Sequence, residues 1–234
     1  MITARMTIRL LMLGLAAFSG AVHAERPPSV YLEGKSAVGV ILLHGHGGTA
    51  DGNVVGPLMR MLNNEFSYHA LSLHVPQASS SEKGARLAET YAQLYPDVEK
   101  LIDSGIHYLR TEKKVQTLYL VGFSMGTRMA TAFLASHPSA PFRGYISVST
   151  TCRGPELMDS NSNLVKVNLP VLDIYGTGSD FDVACAAERA ALSEMLDKYK
   201  MVQVDGAPHN FRGYEGKLTD YAKDWLKQIE DGPK

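Results

Sequence analysis

The chain has 234 residues, and its 23 Lys plus Arg nearly cancel its 24 Asp plus Glu. We find neither a basic stripe, which would indicate nucleic-acid binding, nor an acidic tail, which would indicate a solvating role. This length is enough for one α/β domain with a sizeable core.

The first 24 residues have the pattern of a secretory signal peptide. Arg5 and Arg9 are followed by an apolar run over residues 10–18, and residues 22–24 offer small side chains to a signal peptidase. We expect cleavage after Ala24 and a periplasmic or secreted location. The alternative is an N-terminal membrane anchor, for which the apolar run is short. No cysteine follows the run, which argues against a lipoprotein anchor.

Strand-like and helix-like segments alternate along the rest of the chain, and we expect one domain over residues 25–234. This pattern predicts an α/β fold with a mainly parallel open sheet of about six or more strands and helices on both faces. Apolar runs predict strands over residues 37–43, 68–75, 115–121, 142–148, 170–175 and 201–204. Helical spacing predicts helices over residues 53–66, 87–109, 127–134, 183–199 and 218–229. Pro96 is expected to kink or divide the second helix.

The pentapeptide Gly122-Phe123-Ser124-Met125-Gly126 joins a predicted strand to a predicted helix. G-x-S-x-G in this setting is typical of a nucleophile elbow, in which a tight turn exposes the serine hydroxyl at the end of the strand. We expect a strained serine backbone and glycines at both flanks, because side chains there would collide with the neighbouring strand and helix. The alternative is a tight turn with an idle serine.

A nucleophilic serine needs a base and an acid that orients the base, in the chain order Ser, Asp or Glu, His. His209 follows the last predicted strand and is the candidate base. Asp180 is the first choice for the acid because it stands three residues before Val183, at the entrance to a predicted helix. Asp182 is the second choice, since it could instead cap that helix. Asp173 lies inside a strand and is interpreted as structural.

The segment after the first core strand has histidines and glycines suited to an oxyanion hole. We expect the backbone N–H groups of His46 and Met125 to be the donors. The pair His44 and His46 also resembles part of a metallo-hydrolase motif, but Gly48 and Thr49 stand where that motif needs Asp and His. We therefore predict no metal, and a hydrogen-bonded bracing role for His44.

The chain has two cysteines, Cys152 and Cys185, and no CxxC motif. Both are predicted in segments that follow strands on the same side of the sheet. An exported protein meets an oxidising environment, so we predict a disulfide between them. The alternative is two free buried thiols.

Together these segments resemble the α/β-hydrolase superfamily over residues 37–229. The resemblance implies a site at the C-terminal edge of the sheet with a triad of Ser124, His209 and Asp180. The short, lidless form looks like the dienelactone-hydrolase and small-esterase branches, with room for one helix at most in residues 151–169. Dienelactone hydrolases proper use a cysteine nucleophile, so their specific reaction is not carried over to Ser124.

These observations predict an exported serine hydrolase that acts on a small-molecule carboxylic ester or thioester, without metal or organic cofactor. Ser124 would form an acyl-enzyme. The loops over residues 77–84 and 151–169 are expected to border the pocket, with Arg153 as a candidate anion contact or a solvated surface charge. The alternatives are a peptidase or amidase with the same triad and a non-catalytic binding protein of the cell envelope.

Overall fold

A computed structural model of the protein describes residues 24–196 and 198–232. The predicted signal peptide lies outside them, apart from Ala24. The strands are β1 Ser29–Leu32, β2 Val38–Leu43, β3 His69–Leu73, β4 Thr117–Phe123, β5 Phe142–Val148, β6 Val171–Gly176 and β7 Tyr199–Val204. The helices are α1 Val55–Phe66, α2 Gly84–Thr111, α3 Met125–Ser136, α4 Ser160–Leu164, α5 Asp180–Met195 and α6 Glu215–Asp231, and a short 3-10 turn spans Glu156–Met158.

The seven strands form one sheet in the order β1-β3-β2-β4-β5-β6-β7. Every pair is parallel except the edge pair β1–β3, whose register places Ser29 opposite Leu73. The central strands are buried on both faces, which explains their continuous apolar runs. This architecture confirms the predicted α/β-hydrolase fold.

Helices cover both faces of the sheet and bury two apolar cores. One core packs α2 and α3 against the sheet through Val98, Ile102, Met129 and Phe133. The other packs α1 and α6 against the opposite face through Leu58, Leu62, Leu218 and Trp225. Within the described ranges, no helix combines the length and apolar character that crossing a bilayer requires.

One strand was not predicted from the sequence, and one of the two effects expected of Pro96 is excluded. Strand β1 was not predicted, because its four residues are only half-buried and carry little periodic signal. Pro96 was expected to kink or divide the second helix, and the division is excluded because α2 runs without a break from Gly84 to Thr111. Buried side chains on both sides of the proline, among them Tyr91 and Val98, hold the two halves on one packing surface.

The parallel strands β2, β4, β5, β6 and β7 end at the same edge of the sheet, so the loops that follow them meet there. The connection from β5 to β6 contains only the 3-10 turn and the five-residue helix α4. A minimal lid was predicted, and this connection agrees with it.

Candidate active site

Ser124 occupies the sharp turn between β4 and α3. Its φ of 53° and ψ of −117° lie outside the regions that L-residues normally adopt. A Cβ on Gly122 would lie 2.9 Å from the Gly126 carbonyl oxygen, and one on Gly126 would lie 2.2 Å from the Leu43 carbonyl oxygen. The two glycines are therefore required sterically, as the sequence predicted, and the turn holds the hydroxyl clear of the strand.

His209 lies in the loop between β7 and α6, with its ring over the serine. Its Nε2 is 2.9 Å from Ser124 Oγ. The Ser149 hydroxyl donates to the His209 carbonyl oxygen at 2.7 Å, which fixes the loop from the β5 side. The imidazole packs near two phenylalanine rings, with centroid distances of 5.5 Å to Phe123 and 6.3 Å to Phe181. The sequence did not single out Phe181, which lies half-exposed beside the acid.

The carboxylate that contacts His209 is Asp182, not the first choice Asp180. The Asp182 Oδ1 lies 2.6 Å from His209 Nδ1, and its side chain is fully buried. Asp180 is exposed at the first position of α5. The preference for Asp180 was wrong because α5 begins three residues earlier than predicted. Ser179 is the cap of that helix, since its Oγ accepts the Asp182 N–H at 3.3 Å.

A disulfide ties α5 to the loop after β5. It joins Cys152 to Cys185, one turn along the helix from Asp182, and the sequence predicted this pairing. The Cys152 side of the bridge also lines the large cavity described below. The bridge therefore joins the segment that carries the acid to the segment that forms the cavity wall.

Replacing both cysteines with alanine is expected to lower the free energy of unfolding by about 3–4 kcal/mol, because the bond closes a loop with a sequence separation of 33 residues. Urea denaturation of the oxidised wild type and the double variant measures the difference. The wild type unfolded in reducing agent is the control and should lose a similar amount. A double variant as stable as the oxidised wild type would contradict the expected contribution.

The predicted oxyanion donors lie on either side of the serine. His46 follows β2 and Met125 opens α3, and both line the cavity beside Ser124. Among the described residues, neither backbone N–H has a protein acceptor. His44 braces the same loop as predicted: its Nδ1 lies 2.9 Å from the Gly45 carbonyl oxygen and its Nε2 accepts the Val75 N–H. Burial lowers the pKa of His44, which favours the neutral imidazole.

Ser124 opens on two cavities. The large cavity, of about 1050 Å³, has a mostly apolar wall formed by the first turn of α2, residues 151–155 and Phe181. The small cavity, of about 220 Å³, is lined by the segment that follows β2, by Phe123 and by Asn210. Both predicted loop regions contribute to the site: residues 151–155 line the large cavity, and Gln77 bonds to the Gly47 N–H.

A buried arginine that the sequence analysis missed holds the wall of the large cavity. Arg128 Nε donates to Thr151 Oγ1 and Nη1 donates to the Met158 carbonyl oxygen, both at 2.7 Å, and Nη2 donates to the Cys152 carbonyl oxygen. Burial lowers its pKa. Arg128 lies in the first turn of α3, and no local sequence pattern reports its contacts with the loop after β5. Arg153 is exposed on the same wall and pairs with Glu188 at 2.9 Å.

Among the residues that the structure describes, no group of three or more His, Cys, Asp and Glu side chains is arranged to hold a metal ion.

The α/β-hydrolase fold family matches residues 39–188, which is more than half of the chain. The chain belongs to this family. The seven-stranded sheet, the elbow at Ser124 and the loop positions of the site are all arranged as this α/β-hydrolase fold requires. No curated protein matches the sequence of this α/β hydrolase.

Solved structures with the same fold include a dienelactone hydrolase, an esterase and a monoacylglycerol lipase. Dienelactone hydrolase from Anabaena variabilis is 17% identical, with a TM-score of 0.63, over 87% of this chain and 98% of that chain. An esterase from Pyrococcus furiosus is 17% identical, with a TM-score of 0.64, over 84% of this chain and 83% of that chain. Monoacylglycerol lipase from Paleococcus ferrophilus is 13% identical, with a TM-score of 0.61, over 87% of this chain and 98% of that chain. At these identities the likeness shows the fold alone.

Proposed function

We propose that this α/β hydrolase is a serine esterase that cleaves carboxylic esters or thioesters through an acyl-enzyme on Ser124. The observation that carries the proposal is the continuous hydrogen-bonded chain from Ser124 through His209 to Asp182. A carboxylate accepts hydrogen bonds and cannot donate them, so His209 Nδ1 holds the proton and Nε2 is free to accept one from the serine. The esterases and lipases among proteins of similar fold support the same reaction class.

In the proposed mechanism, Ser124 Oγ attacks the ester carbonyl while His209 Nε2 takes its proton. The His46 and Met125 N–H groups stabilise the oxyanion, and the buried Asp182 stabilises the imidazolium that forms. His209 then protonates the leaving alkoxide or thiolate. Water then enters, loses a proton to His209 and attacks the acyl carbonyl. The acid leaves as His209 returns the proton to Ser124 Oγ. The apolar wall of the large cavity favours a substrate with an apolar group on one side of the ester.

Labelling with a fluorophosphonate probe tests the nucleophile. We expect the wild type to be labelled on Ser124 and the Ser124→Ala variant to stay unlabelled and to lose turnover of simple aryl esters. Ser136→Ala, at the far end of the same helix, is the matched control and should be labelled like the wild type.

A panel of matched esters, thioesters and amides then separates an esterase from an amidase with the same residues. We expect faster turnover of the esters. An unlabelled wild type that behaves like Ser124→Ala in every assay would rule out a serine hydrolase. Turnover confined to the amides would rule out the esterase assignment.

A further inference from the structure

A hydrogen-bond network around the buried Tyr91 side chain holds the loop of His46. It starts at Gln77, whose Oε1 accepts the Gly47 N–H at 2.7 Å and whose Nε2 donates to the Val75 carbonyl oxygen at 3.1 Å. These two partners can be satisfied only by one orientation of the carboxamide, because a backbone N–H needs an acceptor and a carbonyl needs a donor. The oxygen of Gln77 therefore faces the loop, and it can only accept hydrogen bonds.

Tyr91 links this oxygen to His46. The Tyr91 hydroxyl lies 3.1 Å from Gln77 Oε1 and 3.0 Å from His46 Nδ1, and the tyrosine is buried. A hydroxyl has one proton, and Tyr91 donates it to Gln77 Oε1, which can only accept. The Tyr91 oxygen must then accept its second hydrogen bond from His46 Nδ1. The network consequently places the proton of the neutral His46 ring on Nδ1.

The other nitrogen of this ring, His46 Nε2, is then a hydrogen-bond acceptor. It has no protein partner among the described residues, and the ring lines both cavities beside Ser124. His44 differs from His46 in this respect. Its Nδ1 contacts the Gly45 carbonyl oxygen, and its Nε2 already accepts the Val75 N–H. The Gln77–Tyr91 network thus presents an acceptor with a set tautomer to whatever occupies the site.

We propose that His46 Nε2 recognises a hydrogen-bond donor on the substrate, a hydroxyl or amide N–H close to the scissile ester. This inference rests on the proposed esterase function and adds a substrate class to it: esters with a donor group next to the carbonyl or on the alcohol. Gln77 and Tyr91 are positioning residues for this recognition, because they set the tautomer of His46 without reaching the substrate. A site that offers such an acceptor disfavours an analogue that lacks the donor.

Matched ester pairs test the inference through a ratio of kcat/KM values. The panel compares methyl 2-hydroxypropanoate with methyl 2-methoxypropanoate, 2-hydroxyethyl propanoate with 2-methoxyethyl propanoate, and the methyl ester of N-acetylalanine with its N-methylated form. The first two pairs test a hydroxyl on the acyl or the alcohol side, and the third tests an amide N–H. For at least one pair, we expect the wild type to prefer the donor-bearing ester roughly two- to tenfold, as for one net hydrogen bond.

Two variants attribute the preference to His46. His46→Phe keeps the backbone N–H and removes the acceptor, so the ratio should fall to about one whatever the remaining rate. Tyr91→Phe removes the acceptor for Nδ1–H and should reduce the ratio. Tyr95→Phe, the same substitution one turn along α2, is the matched control and should keep the wild-type ratio, because the Tyr95 hydroxyl contacts Ser136 instead.

Nitrogen-15 NMR of the histidine side chains reads the tautomer directly. We expect His46 to hold its proton on Nδ1 in the wild type and in Tyr95→Phe, and to populate both tautomers in Tyr91→Phe. A wild-type ring protonated on Nε2 alone, or a preference that survives in His46→Phe, would overturn the inference. Ester turnover without preference in any pair would overturn it and leave the esterase function standing. No turnover of any ester would contradict both.

Discussion

Asp182→Asn is expected to lower kcat for ester hydrolysis about 10⁴-fold, whereas Asp180→Asn should change it less than about twofold. Asp182 lies 2.6 Å from His209 Nδ1 and is fully buried, so its charge acts on the imidazolium without screening by water. An asparagine there removes that charge and offers an N–H, which favours the wrong tautomer of the base. Asp180 is exposed and has no contact with His209.

The two variants form a matched pair, because both change an aspartate in the first turn of α5 by one atom. Steady-state kinetics on one activated ester gives the comparison, and circular dichroism checks that both variants are folded. The pH profile of kcat/KM adds a second readout, since loss of the orienting carboxylate should shift the limb that reports the base. Comparable losses in the two variants, or a larger loss in Asp180→Asn, would refute the assignment of the acid.

Asp173→Asn is expected to destabilise the protein by about 3–5 kcal/mol, the usual cost of removing one partner from a buried ion pair. Asp173 Oδ2 accepts from Arg189 Nε at 2.7 Å and from the Tyr199 hydroxyl at 2.5 Å. Thr150 donates to the other oxygen at 2.7 Å. Asp173 and Arg189 are both fully buried, so the substitution leaves a guanidinium away from water without a counter-charge.

Asp97→Asn provides the control for this prediction. Asp97 pairs with Lys100 at 3.2 Å on the exposed face of α2, where an ion pair is worth less than about 1 kcal/mol. Urea denaturation of the two variants should therefore separate a buried pair from an exposed one. Equal free energies of unfolding in Asp173→Asn and Asp97→Asn would show that Asp173 does not compensate Arg189.

Most of the fold was predictable because its signals are local and repeated. The buried parallel strands appear as continuous apolar runs, and helices such as α1 show an apolar face at helical spacing. The elbow was predictable for a steric reason, since only glycine fits at residues 122 and 126. Strand β1 was not predicted, because four half-buried edge residues produce neither a continuous apolar run nor helical spacing.

The parts of the site that were missed depend on positions that only the folded chain sets. The choice between Asp180 and Asp182 turned on where α5 begins, and a shift of three residues at a helix start changes which side chain faces the loop of His209. The signal for the true start of α5 was Ser179, because a serine at this position caps the helix. The clamp of Arg128 on the wall after β5 joins segments about 25 residues apart, and no local pattern reports such a contact.

Because Asp182 lies in the first turn of α5, the active-site geometry depends on the local stability of that turn and not only on the stability of the whole domain. Helix ends open more readily than the rest of a domain, and opening of this turn would withdraw the carboxylate from His209 while the sheet stays intact. The Ser179 cap and the Cys152–Cys185 bond, which lie on either side of the acid along the chain, both oppose that opening. Activity should therefore decline on heating before the molecule unfolds, and amide hydrogen exchange in this turn should follow the loss of activity more closely than global melting does.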